Sequence, residues 1–251
     1  EERLLGVSLT GIMDSSLLND ASDATLVQRL QNLKQVAIDT NLGLADTLGI
    51  PQSTAITCVK PSGTVSQLVN SASGIHARHS SYYTRTVRGD KKDPLTQFLI
   101  SQNIPCEDDI MQPDNTMVFS FPVESPDQSV TRNDISALEQ LDLWLLYQKY
   151  WCEHKPSVTI TVKEDEWLDV GAWVYTNFDN VAGISFLPHS EHTYKQAPYQ
   201  ECNKKDYLNL VKSMPKNIDW SLLSEYEVED GTRGGQELAC TADACEIVDI
   251  I

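Results

Sequence analysis

At 251 residues with 41% hydrophobic content, the chain has enough apolar sequence to bury a substantial core, as one large domain or as part of a larger one. Its formal net charge of −17 speaks against a non-specific nucleic-acid or anionic-membrane surface, while leaving room for a local basic pocket that holds a phosphorylated small molecule. No run approaches the roughly 18 apolar residues needed to span a bilayer, and Glu1-Glu2-Arg3-Leu4-Leu5-Gly6 has no signal-peptide pattern, so the expected location is cytoplasmic.

In chain order, Leu4 to Ile12 alternates like a strand, and Ala24 to Leu48 places Leu26, Leu30, Leu33, Val36 and Ala37 at helical spacing. Ala55 to Val59 and Met117 to Pro122 read as strands, Ile135 to Trp151 as a periodic helix, and Ser157 to Val162 as a run of β-formers. A helix is expected over Glu164 to Phe178, a short strand over Gly183 to Leu187, and a last helix over Lys204 to Lys212. Strands that alternate with helices imply parallel pairing by right-handed crossovers. The expected fold class is therefore α/β, with five parallel strands forming a layer or half a barrel over residues 1–223. Residues 224–251 are mostly acidic or small, with Gly231, Gly234 and Gly235, and read as a flexible tail.

Two motifs carry chemistry. In Thr57-Cys58-Val59-Lys60-Pro61-Ser62-Gly63-Thr64-Val65-Ser66 a β-prone run breaks at Pro-Ser-Gly and continues as the start of a helix. Pro in a first helical turn loses no hydrogen bond, Gly lets backbone approach a ligand, and Ser and Thr add hydroxyls beside the free N–H groups. An anion at such a turn meets the positive end of the helix dipole. These residues alone also fit an ordinary capped strand-to-helix turn.

The second motif is Cys240-Thr241-Ala242-Asp243-Ala244-Cys245, two thiols on a glycine-bearing arm. Such a pair can close a disulfide and reopen it by thiolate exchange, whereas a zinc site would need two more ligands nearby. An incidental pair at a disordered terminus fits the tail equally well. Of the other cysteines, Cys58 and Cys152 sit in apolar surroundings as buried small hydrophobes, and Cys106 and Cys202 read as incidental loop residues.

Taken together, the stretches ITCVKPSGTVSQLVNSASGIHARHSSYYTRTVR (residues 56–88), GISFLPHSEHTYKQAPYQ (residues 183–200) and the closing CTADAC resemble the adenosylcobalamin-dependent (class II) ribonucleotide reductases. The resemblance runs through the whole chain but covers only the C-terminal part of that enzyme. It implies a ten-stranded α/β barrel of two five-stranded halves, of which this chain would supply the second. It implies further that Pro61, Ser62, Gly63, Thr64 and Val65 bind the substrate's phosphates, with Ser66 a possible neighbour. Cys240 and Cys245 would re-reduce the active-site disulfide after each turnover and be reduced in turn by thioredoxin.

The family's Asn-Pro-Cys-Gly-Glu loop, which bears the thiyl-radical cysteine, does not occur in this sequence. The resemblance therefore places that cysteine in an upstream half of the barrel, a required partner. In the implied reaction adenosylcobalamin generates the thiyl, which takes the ribose 3′-hydrogen. The 2′-hydroxyl is then lost while two cysteines supply electrons. A ribonucleotide substrate and thioredoxin are the expected partners, with neither nucleic acid nor membrane bound directly.

Other residues invite weaker readings. Tyr82-Tyr83 suggests the radical relay of a class I reductase, but the pair lies too early in the chain and reads as packing. His76, His79, His189 and His192 are too dispersed for a metal set. Arg85, Arg88, Lys91 and Lys92 form a basic cluster that reads as a solvated turn, with phosphate binding as the alternative. Two further functions stay open: a nucleotide-binding module without catalysis of its own, and a thiol oxidoreductase, which the absence of Cys-x-x-Cys disfavours.

Overall fold

The computed structural model describes residues 2–189 and 194–227. His192, Cys240, Cys245 and the tail beyond residue 227 lie outside the described residues. In chain order the elements are β1 (Val7–Ser8), α1 (Leu26–Leu48), β2 (Thr57–Cys58), α2 (Val65–Leu68), β3 (Tyr82–Asp90), α3 (Pro94–Ser101), β4 (Cys106–Asp108) and β5 (Thr116–Glu124). There follow α4 (Ala137–Tyr150), β6 (Thr159–Val162), α5 (Trp167–Thr176), β7 (Ser185–Pro188), β8 (Tyr199–Glu201), α6 (Lys204–Ser213) and α7 (Leu223–Tyr226). They divide into two compact units, Glu1–Arg78 with Pro126–Ser190 and His79–Ser125 with Glu191–Ile251.

The first unit holds the parallel pairs. β1 runs alongside β2 in the register Val7 to Thr57 and Ser8 to Cys58. β6 runs alongside β7 from Thr159 opposite Ser185 to Val162 opposite Pro188. Between them, Glu153 N–H donates to Thr57 C=O at 2.8 Å and Ser157 N–H to Val59 C=O at 3.4 Å. Helix α4 starts where Ser136 and Glu139 satisfy each other's backbone N–H in a capping box, and its buried Leu141, Trp144 and Tyr147 recur at helical spacing. These side chains pack with Ile12, Leu26, Leu30, Ile75 and Ile160 into one core. Helix α1 stops at Gly49, whose φ of 63° is a conformation glycine adopts without strain.

The second unit is built on an antiparallel sheet in the order β4-β5-β3-β8. β3 and β5 pair along nine residues, from Tyr82 opposite Glu124 to Asp90 opposite Thr116. Helix α3 is started by Asp93, which accepts Leu95 N–H at 2.8 Å, and by Pro94 in its first turn. Its buried Phe98 meets the rings of Trp220 and Tyr226 at 5.3 and 5.8 Å.

The fold is thus mixed α/β, but the expected parallel five-stranded sheet is corrected to small sheets that are mostly antiparallel. Four of the five expected strands do pair in parallel, as two separate pairs. The expected strand over Met117 to Pro122 instead lies in β5, antiparallel to β3. The reason is local. The segment between β3 and β5 contains α3 and also β4, which pairs antiparallel to β5, so the intervening helix is not a crossover. β3 itself hid in the sequence because its arginines resembled a polar turn.

Candidate functional site

The loop Lys60–Thr64 leaves the C-terminal end of β2 and enters α2, a helix of only four residues. Ser62 is its fixed point: the Ser62 N–H donates to Ser73 Oγ at 2.8 Å, and its hydroxyl lies 3.4 Å from Thr10 Oγ1. Lys60 N–H is held by Ser8 Oγ at 3.0 Å, and Lys60 Nζ donates to the Lys155 carbonyl at 3.1 Å. Beyond Ser62 the loop opens. The N–H groups of Gly63, Thr64, Val65 and Ser66 donate to no acceptor among the described residues. Pro61, Thr64 and Val65 are exposed, Ser62 and Gly63 half-buried, and a Cβ at Gly63 would have nothing within 4 Å. Thr64 makes no side-chain cap to α2, so its hydroxyl is not committed there. Ser66 is buried and donates its hydroxyl to the Ser62 carbonyl.

The return from α2 packs tightly behind this loop. Gly74, at φ +54°, brings its Cα so close to the start of the loop that a Cβ would stand 3.0 Å from the Lys60 carbonyl oxygen. Thr10 Oγ1 donates to the Ala72 carbonyl at 3.0 Å and accepts Gly74 N–H at 3.0 Å. Asp14 accepts Ala72 N–H at 2.7 Å, the Ser129 hydroxyl at 2.8 Å, and Arg78 Nε and Nη2 at 2.9 and 2.8 Å. Burial works to raise the Asp14 carboxyl, but the Arg78 guanidinium, the Ala72 N–H and the Ser129 hydroxyl outweigh it and hold it below the ordinary carboxylate range. Nothing in the sequence pattern marks Thr10, Asp14, Ser73 or Arg78, because what joins them to the loop is tertiary contact.

The remaining sequence candidates fall elsewhere. Arg85 and Arg88 do not form a solvated turn; both lie on β3. Arg85 sits over the Tyr199 ring at 4.2 Å, and Arg88 pairs with buried Asp109 at 2.8 Å. Lys91 pairs with Asp108 at 2.5 Å. Tyr83 is buried against Tyr199 and His79, with ring centroids at 5.8 and 5.9 Å, and Tyr82 packs on Tyr207 at 5.1 Å, which is the packing role expected of them. Cys58 is buried as expected. Cys152 is half-buried, and burial, with Cys58 nearby, pushes its thiol up to about 12. Cys106 begins β4 and so is not the loop residue expected, whereas Cys202 lies in the short loop between β8 and α6 as expected. Among the described residues no group of three His, Cys, Asp or Glu side chains is placed to hold a metal ion. Nor, among the described residues, is any helix long and apolar enough to cross a membrane.

The architecture has a solved counterpart. A crystal structure of a B-12 dependent (class II) ribonucleotide reductase superposes with a TM-score of 0.71 at 25% identity, over 82% of this chain and 29% of that one. No family model matches. The fold is accordingly that of one part of a class II reductase. Among curated proteins, the adenosylcobalamin-dependent ribonucleoside-triphosphate reductase of Euglena gracilis is 30% identical over 245 residues, 97% of this chain and 33% of the relative. The probable enzyme of the same name from Dictyostelium discoideum is 32% identical over 210 residues, 81% of this chain and 27% of the relative. That of Lactobacillus gasseri is 24% identical over 274 residues, 98% of this chain and 37% of the relative. The chain is homologous to the adenosylcobalamin-dependent class II ribonucleotide reductases over most of its length, and it spans about a third of the length of these curated relatives.

Proposed function

We propose that this chain is the substrate-positioning part of an adenosylcobalamin-dependent ribonucleotide reductase, the second half of its catalytic barrel with the redox tail attached. The carrying observation is the loop Pro61–Val65: Ser62 is anchored from behind, and the successive N–H groups of Gly63 to Ser66 have no acceptor among the described residues. Such a row of donors suits phosphate oxygens. Fixing the phosphates would bring the ribose to a reacting cysteine supplied by the upstream half, so that binding energy far from the reacting carbon supplies orientation.

Cys240 and Cys245 would act after the chemistry. Their dithiol would attack the active-site disulfide, leaving that pair reduced and themselves joined as a disulfide, which the thioredoxin dithiol would then reduce.

Adenosylcobalamin, which the relatives' names carry, would supply the radical chemistry, and because its corrin ring already holds the cobalt it would require no cluster of protein donors from this chain. His76 commits both ring nitrogens to the backbone, and no metal-sized cluster of donors is present among the described residues.

The test is ribonucleotide reduction with adenosylcobalamin and thioredoxin, comparing the chain alone with the chain joined to its upstream segment. Activity only in the joined form is the expected result. Inactivity of both would leave a nucleotide-binding module as the better description.

A further inference from the structure

We infer that Asp14 and Arg78 are positioning residues for the phosphate-binding loop, a buried clamp that holds the return from α2 and through it the anchor of Ser62. The inference rests on the proposal that Pro61–Val65 receives the substrate's phosphates.

Arg78 has a side chain only 3% exposed, and Asp14 one of 15%. A charge pair taken that far out of water contributes little net stability, because desolvation offsets the attraction between the partners. What the pair does do is fix backbone. Arg78 Nη1 donates to Asn70 Oδ1 at 3.1 Å and Nη2 to the Asn70 carbonyl at 2.6 Å. Asn70, at φ +46°, is the left-handed residue where the chain turns back from α2. Asp14 takes the Ala72 N–H, and Gly11 N–H, three residues earlier, donates to the Ala72 carbonyl at 2.8 Å. Ala72 is thus held on both sides of its peptide unit.

The next residue, Ser73, presents the Oγ that accepts the Ser62 N–H. The position of the Ser62 N–H is therefore set one residue from the clamped Ala72. Gly11 tightens the same joint: at φ +70° it lies so close to Ser71 that a Cβ would overlap its hydroxyl. With Ser73 displaced, Ser62 loses its anchor, and the open N–H groups that follow it lose the fixed point that places them. The expected kinetic result is weaker nucleotide binding more than slower chemistry.

The experiment uses the chain joined to its upstream segment and follows steady-state reduction of a ribonucleoside triphosphate together with thermal unfolding. The double variant Asp14→Asn with Arg78→Gln removes both charges at once, so neither is left buried alone. We expect the nucleotide KM to rise about tenfold with kcat within about threefold of the parent. Asn70→Gly removes only the side-chain acceptor of Arg78 at a residue whose φ glycine tolerates, and keeps the test available if the double variant does not fold. It should raise KM about threefold.

Gly63→Glu places a negative charge in the loop itself, where a side chain meets open space, and reports on the underlying reading. If Gly63→Glu raises KM but the folded clamp variants do not, the clamp is refuted and the phosphate loop stands. If Gly63→Glu leaves KM unchanged, the phosphate-loop reading fails and takes the clamp with it.

Discussion

His76 ties Ser73 to Thr159, the first residue of β6: its Nε2 accepts the Thr159 N–H at 3.0 Å while Nδ1 faces the Ser73 carbonyl at 2.9 Å. Accepting at Nε2 while donating at Nδ1 defines a neutral ring with its proton on Nδ1. The same Ser73 accepts Ser62 N–H, so one residue connects a strand of the parallel pair to the candidate phosphate loop.

Burial holds His76 below the ordinary histidine range, against the upward pull of its Ser73 hydrogen bond. In the unfolded chain the ring takes up a proton as pH falls through about 6.5, whereas the folded protein resists it. Stability should therefore be fully present above that pH and decline below it. Thermal unfolding from pH 8 to pH 5.5 should show the fall, and His76→Gln should show a flatter profile over the same window. Parallel profiles would refute the assignment.

Glu153 accepts the N–H groups of Ile56 and Thr57 at 2.8 and 3.1 Å, next to the start of β2. Burial works to raise its carboxyl, and these two N–H bonds prevail in lowering it. Removing the acceptor leaves two donors on buried residues, though water reaches part of this exposed side chain's place. Glu153→Ala should cost about 1–2 kcal/mol in urea unfolding, and Glu153→Gln, which keeps an acceptor oxygen, about half that.

Arg88 spans β3 to Asp109 and also donates to the Gln196 carbonyl at 3.0 Å. Asp109 is only 4% exposed and further accepts the N–H groups of Met111 and Gln112 at 2.8 and 3.0 Å. Arg88→Ala strands this carboxylate without its cation and should destabilise by about 2 kcal/mol, the Arg88 side chain's own exposure moderating the loss. Chemical denaturation is the measurement, and Arg88→Lys should recover part of the stability.

Cys240→Ser and Cys245→Ser test the proposed electron relay. In the chain joined to its upstream segment, each should lower multiple-turnover reduction with thioredoxin at least tenfold, while a single turnover from the reduced enzyme proceeds as in the parent. Turnover at the parental rate would remove the tail pair from the reaction.

The helices were legible in outline. Of the face expected at Leu26, Leu30, Leu33, Val36 and Ala37, Leu26 and Leu30 are buried in α1 while Leu33 and Val36 are exposed, and the expected helix over Ile135 to Trp151 forms as α4 over Ala137–Tyr150. Periodicity is written into neighbouring residues, so sequence carries it. The break after β2 at Lys60–Thr64 was equally visible, because Pro and Gly mark it locally. β3 was not, since its alternation is interrupted and its arginines find partners only across strands, at Asp109 and Tyr199.

By itself, then, the sequence determined the mixed α/β character, the strand-to-helix loop at Pro61–Val65 and the kinship with class II reductases. Each is carried by consecutive or periodically spaced residues. Only the tertiary structure decided that β3 and β5 run antiparallel, that His76 is bonded at both nitrogens, and that Asp14 meets Arg78 behind the loop. Asp14 and Arg78 are separated by 64 positions, and no local propensity records a contact that exists only once the intervening chain has folded back on itself.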